Sequence, residues 1–243
     1  MDSVRVRTPI YTEEDHHTWA ELCRRQSVLV APVACRLFEV GWPKLNLDQT
    51  HLPNPVEVSS RIFEATGWTL TDAQNGYLGP TEWFEHLAER RFPVTNYIRR
   101  PDEIAFTPNP DLFHEYFGHL AFFMDQDFAD TAELFGKLYL NAGDERQRLA
   151  IARLWWYTTE FGFIREGGSL KLYGAGLLSS PGELLHSLKP ETPRVPFVIP
   201  EVIETPGAAY SMHTKYFILE DEGHVRRILK DFAAMEGILF PSL

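Results

Sequence analysis

The sequence is poor in cysteine. Cys23 and Cys35 are the only two among 243 residues. That excludes a disulfide framework and points to a reducing compartment. Their separation of twelve positions matches no metal motif, so both are read as buried thiols. Long apolar runs are also missing: nothing approaches the ~18 residues of a membrane span. The opening MDSVRVRTPIYTEEDHH has no apolar stretch and is not read as a signal peptide. Basic residues are outnumbered, 23 Lys+Arg against 34 Asp+Glu, for a net charge of −11. That argues against nucleic acid or an anionic membrane as a general partner. There is no internal repeat, no low-complexity segment and no pooled Pro/Gly linker. What remains is ordinary globular composition, 44% hydrophobic and 23% charged. The expectation is one cytoplasmic domain with no nucleic-acid or membrane partner.

Helices dominate the pattern. Thr12 with Asp15 makes a capping box before Trp19, Leu22 and Cys23. Pro32 is expected to open a second helix with Val33, Leu37 and Val40 inward. Asn54-Pro55 opens a third that ends near Gly67, and Pro80 a fourth carrying Trp83, Phe84 and Leu87. Asn109-Pro110-Asp111 reads as cap, proline and first-turn acid. Further helices are expected at 126–141, from Asp144 to about Phe161, after the capping box Ser180-Pro181-Gly182-Glu183, and over 221–235. Residues 166–178 alternate around glycines and predict a short strand or two. The class is mainly α with minor β.

The stretch 110–119, PDLFHEYFGH, carries the candidate chemistry. It is one residue too long for the zinc-protease pattern, in which the histidines are four apart. On an α-helix, four apart is roughly 40° off and five apart roughly 140° off. His114 and His119 therefore cannot face one ion from a straight α-helix. Gly118 is the expected point of a break that would let His119 swing back toward His114. Glu160, amid Trp155, Trp156, Tyr157 and Phe161, would be costly if buried without a partner. Two histidines and a carboxylate on one face suit non-haem Fe(II), and the same donors also suit zinc. Spacing alone leaves core histidines bonded to backbone equally open.

PNPDLFHEYFGH, then WWYTTEFGF and YGAGLLSSPGEL, resembles the pterin-dependent aromatic amino acid hydroxylases. The likeness extends upstream to GYLGPTEWFEHLAERRFPVTNYIRRPDEIAFTP, and YTEEDHHTWAELCRRQ resembles the opening of the short bacterial phenylalanine hydroxylases. It covers about residues 10–235. It implies the family's mostly helical catalytic-domain fold over 1–243, without regulatory domain or tetramerisation tail, as a monomer or weak dimer. It implies Fe(II) held by His114, His119 and Glu160. It implies Arg99 on the substrate carboxylate, with Thr107, Pro108, Trp156, Gly176 and Ser179 lining the same pocket. For tetrahydrobiopterin or a related tetrahydropterin it implies a slot at Gly76, Tyr77 and Leu78, stacking on Trp83, and Glu115, Ala152 and Trp155 as neighbours. Trp83 and Trp155 depart from the Phe and Tyr the family pattern leads one to expect.

The activity implied is ring hydroxylation of an aromatic amino acid with O2, foremost L-phenylalanine to L-tyrosine. Segment 205–217, TPGAAYSMHTKYF, departs from the bacterial pattern, and Ala208, Ala209 and Tyr210 fall near the ring pocket. Small pocket changes move preference by only ~1–3 kcal/mol. Tryptophan hydroxylation and meta attack on phenylalanine therefore stay open. A zinc hydrolase would instead act without pterin or O2. A plain metal-binding protein would have no use for the Arg99 clamp.

Overall fold

A computed structural model describes residues 6–73, 78–105, 107, 109–208 and 211–243. The first helix, α1 (Glu13–Val30), starts at the expected capping box. Thr12 Oγ1 accepts from the Asp15 amide and the Asp15 carboxylate accepts from the Thr12 amide at 2.7 Å. Helix α2 (Arg36–Leu45) starts later than expected. Pro32 lies in a turn, because the next amides and carbonyls pair elsewhere. The Leu172 amide donates to Val33 O (2.7 Å), and the Cys35 amide donates to Leu172 O (3.0 Å). The α2 register turns accordingly: Phe38, Gly41 and Leu45 face inward and Val40 is exposed.

Helix α3 (Pro55–Thr66) keeps both predicted ends, an Asn54 cap and a left-handed Gly67. Strand β1 (Thr69–Asp72), helix α4 (Pro80–Ala88) and strand β2 (Arg91–Val94) follow, with β1 and β2 paired in parallel from Thr69↔Arg91 to Asp72↔Val94. A π-helical segment, His114–Leu120, precedes α5 (Gln126–Asn141). Helix α6 (Glu145–Trp155) runs directly into a second π-helical segment, Trp156–Glu160.

Strands β3 (Phe163–Glu166) and β4 (Ser169–Leu172) form a hairpin, slightly earlier than the glycine-rich pattern placed them. Short helices α7 (Ala175–Ser179) and α8 (Pro181–Ser187) come next, then β5 (Arg194–Pro196), α9 (Ile199–Glu204), β6 (Tyr216–Leu219) and α10 (His224–Glu236). The four-stranded sheet has the order β4-β3-β6-β5, with β6 parallel to both neighbours. No described helix is long and apolar enough to cross a membrane. Cys23 and Cys35 are both buried and unpaired, and burial pushes each thiol up to about 12.

The core wraps the first π-helical segment in aromatics. Phe113 stacks on Phe117 (4.9 Å between centroids), Phe38 and Trp42 press on Phe117, and Trp19 meets Phe113 edge-on. Each such buried ring contributes about 1.5–3 kcal/mol. Packing of this density lets a polar segment be held in an unusual backbone geometry at the centre of the fold.

Candidate active site

The spacing problem of PDLFHEYFGH is resolved by the helix type. Residues 114–120 form a π-helix. Its i→i+5 hydrogen bonding brings residues five apart onto one face, as i→i+4 bonding does for residues four apart. The expected break at Gly118 is therefore corrected: the helix continues through it. Gly118 serves close approach instead. A Cβ there would lie 2.8 Å from Ala175 O, so α7 can pack against this turn only over a glycine.

The second π-helical segment does the same for Glu160. Across this turn the Phe161 amide donates to Trp156 O at 2.9 Å. Trp155, five residues before Glu160, donates from Nε1 to Glu160 Oε1 at 3.0 Å. In this turn Glu160 thus pairs with Trp155, five residues before it, rather than with Trp156, four residues before it.

These turns bring three ligand atoms together. His119 Nε2 lies 3.1 Å from Glu160 Oε1 and His114 Nε2 3.5 Å from Glu160 Oε2. All three donor groups fall within 4.8 Å of one another. The tautomer of His114 follows from its neighbours. Ser179 Oγ spends its proton on Ala175 O (2.8 Å), so it must accept from His114 Nδ1 (2.8 Å). That leaves the His114 Nε2 lone pair aimed at the cluster. Burial would raise Glu160, but the two histidines and the Trp155 bond outweigh it and hold the carboxyl at about 2. Burial, then His119, lowers His114 to about 4. Two imidazole nitrogens and one ionised carboxylate are the donor set a divalent iron takes.

Arg99 is the second anchor. It is buried, as is Asp111, and the two form a double hydrogen bond: Nε to Oδ2 and Nη2 to Oδ1, each 2.8 Å. The Arg99 guanidinium overcomes the effect of burial and holds the Asp111 carboxyl below its ordinary value. Arg99 Nη1 is buried without a hydrogen-bond partner among the described residues. The fork expected to grip substrate is thus half occupied, and Nη1 is the donor left over. Asp111 Oδ1 also accepts from the His114 amide at 3.0 Å. Asp111, not Asn109, is therefore the cap of the ligand-bearing helix, and it couples Arg99 rigidly to His114.

A cavity of about 870 Å³ is lined by His114, His119, Glu160, Trp155, Ser179 and Arg99. Of the expected pterin neighbours, Leu78, Trp83, Glu115, Ala152 and Trp155 line it. Gly76 and Tyr77 lie outside the described residues. Trp83 meets Trp155 edge-on at 6.2 Å. Glu115 is buried and accepts from the Thr95 amide (2.8 Å) and Thr95 Oγ1 (3.2 Å), which ties it to the end of β2. Burial pushes its carboxyl well up, unlike the ionised base of a zinc protease. Of the expected substrate neighbours, Arg99, Thr107, Trp156, Gly176 and Ser179 line the cavity; Pro108 lies outside the described residues.

Asp111, Phe161, Glu183 and His213 also line or support the cavity, and the sequence did not single them out for it. Asp111 read as a first-turn acid and Glu183 as half of a capping box. Ser180 does cap α8, but the Glu183 carboxylate turns away to His213 and Tyr216.

Comparison with known proteins places the chain in a family. The profile of the biopterin-dependent aromatic amino acid hydroxylase family matches residues 4–238. The chain is 36% identical over 211 residues to the phenylalanine-4-hydroxylase of Chromobacterium violaceum, covering 86% of this chain and 71% of that protein. It is also 36% identical over 212 residues to that of Vibrio cholerae, covering 87% and 73%. The apo structure of the cold active phenylalanine hydroxylase from Colwellia psychrerythraea 34H superposes with a TM-score of 0.87 at 34% identity, over 94% of this chain and 89% of that one. The C. violaceum enzyme with bound iron(III) and 7,8-dihydrobiopterin gives 0.85 at 34%, over 93% and 81%. The chain belongs to the biopterin-dependent aromatic amino acid hydroxylase family.

Proposed function

We propose that this protein is an Fe(II)- and tetrahydropterin-dependent monooxygenase that converts L-phenylalanine to L-tyrosine with O2. The observation that carries this reading is one cavity that holds both a His114–His119–Glu160 cluster and an unspent buried arginine donor, Arg99 Nη1. A hydrolase has no need of the second, and a plain metal holder has no need of the cavity.

His114 Nε2, His119 Nε2 and Glu160 would hold the iron, which together with the pterin supplies activation of O2. Arg99 Nη1 receives the amino acid carboxylate, with Asp111 keeping the guanidinium in place. Trp156 and Phe161 form the wall for the ring. Leu78, Trp83, Glu115, Ala152 and Trp155 border the pterin, Trp83 offering the stacking face. Catalysis by the protein is then positioning and exclusion of water. The fixed Asp111 link keeps the carboxylate anchor at a set distance from the metal ligands.

We further read the chain as a single catalytic unit acting in the cytoplasm as a monomer or weak dimer. The single-unit reading is supported by one continuous hydrophobic core reaching from Val6 to Ile238. Sedimentation would then give a mass near 28.0 kDa at low concentration. The main test gives the Fe(II) protein a tetrahydropterin and O2 with phenylalanine, tryptophan or tyrosine. Pterin-dependent para-tyrosine from phenylalanine is expected. Absence of a hydroxylated product from all three would overturn the reading.

A further inference from the structure

Behind Trp156 lies a buried chain of hydrogen bonds that no metal or pterin contact requires. Trp156 Nε1 lies 2.8 Å from His213 Nε2, and His213 Nδ1 lies 2.6 Å from Glu183 Oε1. An indole nitrogen can only donate. His213 Nε2 must therefore accept, its proton sits on Nδ1, and that proton goes to Glu183. The tautomer of His213 is thereby fixed from both sides.

Glu183 is fixed in turn. Its Oε1 also accepts from Tyr216 OH (2.6 Å) and from the His213 amide (3.2 Å). His186, one turn further along α8, holds the His213 carbonyl at 2.8 Å. The His213 ring packs on Phe161 with centroids 4.1 Å apart, and both rings line the cavity. Gly207 completes the fit: a Cβ there would come 3.3 Å from Trp156 Nε1, so a larger residue would press on the indole. His213 is 2% exposed.

We propose that His213 is a positioning residue that sets substrate preference and the ring atom attacked, by locking the Trp156 indole and the Phe161 ring as one rigid wall. This rests on the hydroxylase reading above. The physical reason is the directional bond. Without an acceptor at 213, the half-buried Trp156 loses the partner of its N–H and the indole is free to tilt toward another one. A tilt of the wall moves the substrate ring relative to the metal ligands while Arg99 still holds the carboxylate. Small displacements of this kind change productive alignment strongly.

The test compares His213→Leu, His213→Gln and Trp156→Phe in the Fe(II) protein. Glutamine can accept from Trp156 and donate to Glu183; leucine can do neither. For His213→Leu we expect unchanged iron content. We expect about tenfold weaker L-phenylalanine binding by calorimetry, equivalent to ~1.4 kcal/mol. We also expect less tyrosine formed per tetrahydropterin oxidised and a larger share of meta-tyrosine or of tryptophan hydroxylation. His213→Gln should restore the wild-type product ratio, and Trp156→Phe should show no further change when combined with His213→Leu. Wild-type binding and product ratio in His213→Leu would overturn the proposal. So would failure of glutamine to restore them. If the wild type forms no hydroxylated product from any amino acid, the hydroxylase reading fails. The binding comparison then decides the wall by itself, and equal affinity for wild type and His213→Leu overturns it.

Discussion

The two π-helical turns share a geometry and differ in what they hold. In His114–Leu120 both ends of the five-residue step are metal-ligand candidates, His114 and His119. In the second turn the step joins a ligand candidate, Glu160, to its own hydrogen-bond donor, Trp155. The first turn thus brings two imidazole donors side by side, and the second steadies one carboxylate donor. They also fix their ligands differently. His114 is tied by Ser179, whereas His119 Nδ1 has no partner among the described residues. His119 is held by packing against Phe92 and Trp155, at 5.2 and 6.3 Å. At this depth an unpartnered charge costs far more than a single unpartnered polar nitrogen.

The largest effect expected is that of Glu160→Ala, which removes the only charged donor of the cluster. Iron should be lost and coupled turnover with it; full iron occupancy by metal analysis would refute the ligand set. Next come the two orienting bonds. Trp155→Phe should weaken iron binding by about 10–100-fold and Ser179→Ala by about tenfold, as loss of outer hydrogen bonds to ligands does. Competition with a chelator measures both. Equal effects would mean that the carboxylate and imidazole donors are steadied alike.

Gly118→Ala tests the first turn's packing on α7. A methyl 2.8 Å from Ala175 O forces a backbone shift, costing about 1–3 kcal/mol of stability, read as a lower thermal midpoint. An unchanged midpoint would show that the turn and α7 are not tightly coupled.

The smallest effect concerns the support behind the ring wall, where Glu183 stands on α8, outside both turns. Burial opposes ionisation of Glu183, but the His213 and Tyr216 bonds prevail and lower its pKa. A depressed carboxyl stabilises the fold fully above its unfolded value, about 4.3. That stability is lost as pH falls through the lower folded value. Glu183→Gln should therefore be less stable than wild type near neutrality, with the gap closing below about pH 4. Denaturation midpoints measured across pH give the comparison, and a gap independent of pH would contradict it.

Much of the frame is legible in the amino-acid sequence. The caps at Thr12 and Asn54, the glycine stop at Gly67 and the apolar stripe of α10 are local effects, written within a few adjacent residues. The shift of α2 is not legible there. Its start depends on the pairing of Val33 and Cys35 with Leu172, more than a hundred residues away. The π-helical turns have no compositional signature either, so the five-residue histidine spacing reads as a break at Gly118.

By itself, then, the sequence determined the helical class, most helix boundaries and, through motif resemblance, the identities of the three ligand candidates and the arginine. These depend on local propensity or on short patterns of residue types. Only the tertiary structure decided the helix type that aims the ligands, the half-occupied fork of Arg99 and the Trp156–His213–Glu183 chain. Each of these rests on hydrogen bonds between distant segments or on backbone held off its usual path by core packing. Such bonds form only once the fold has brought their partners out of water, where leaving them unmade becomes costly.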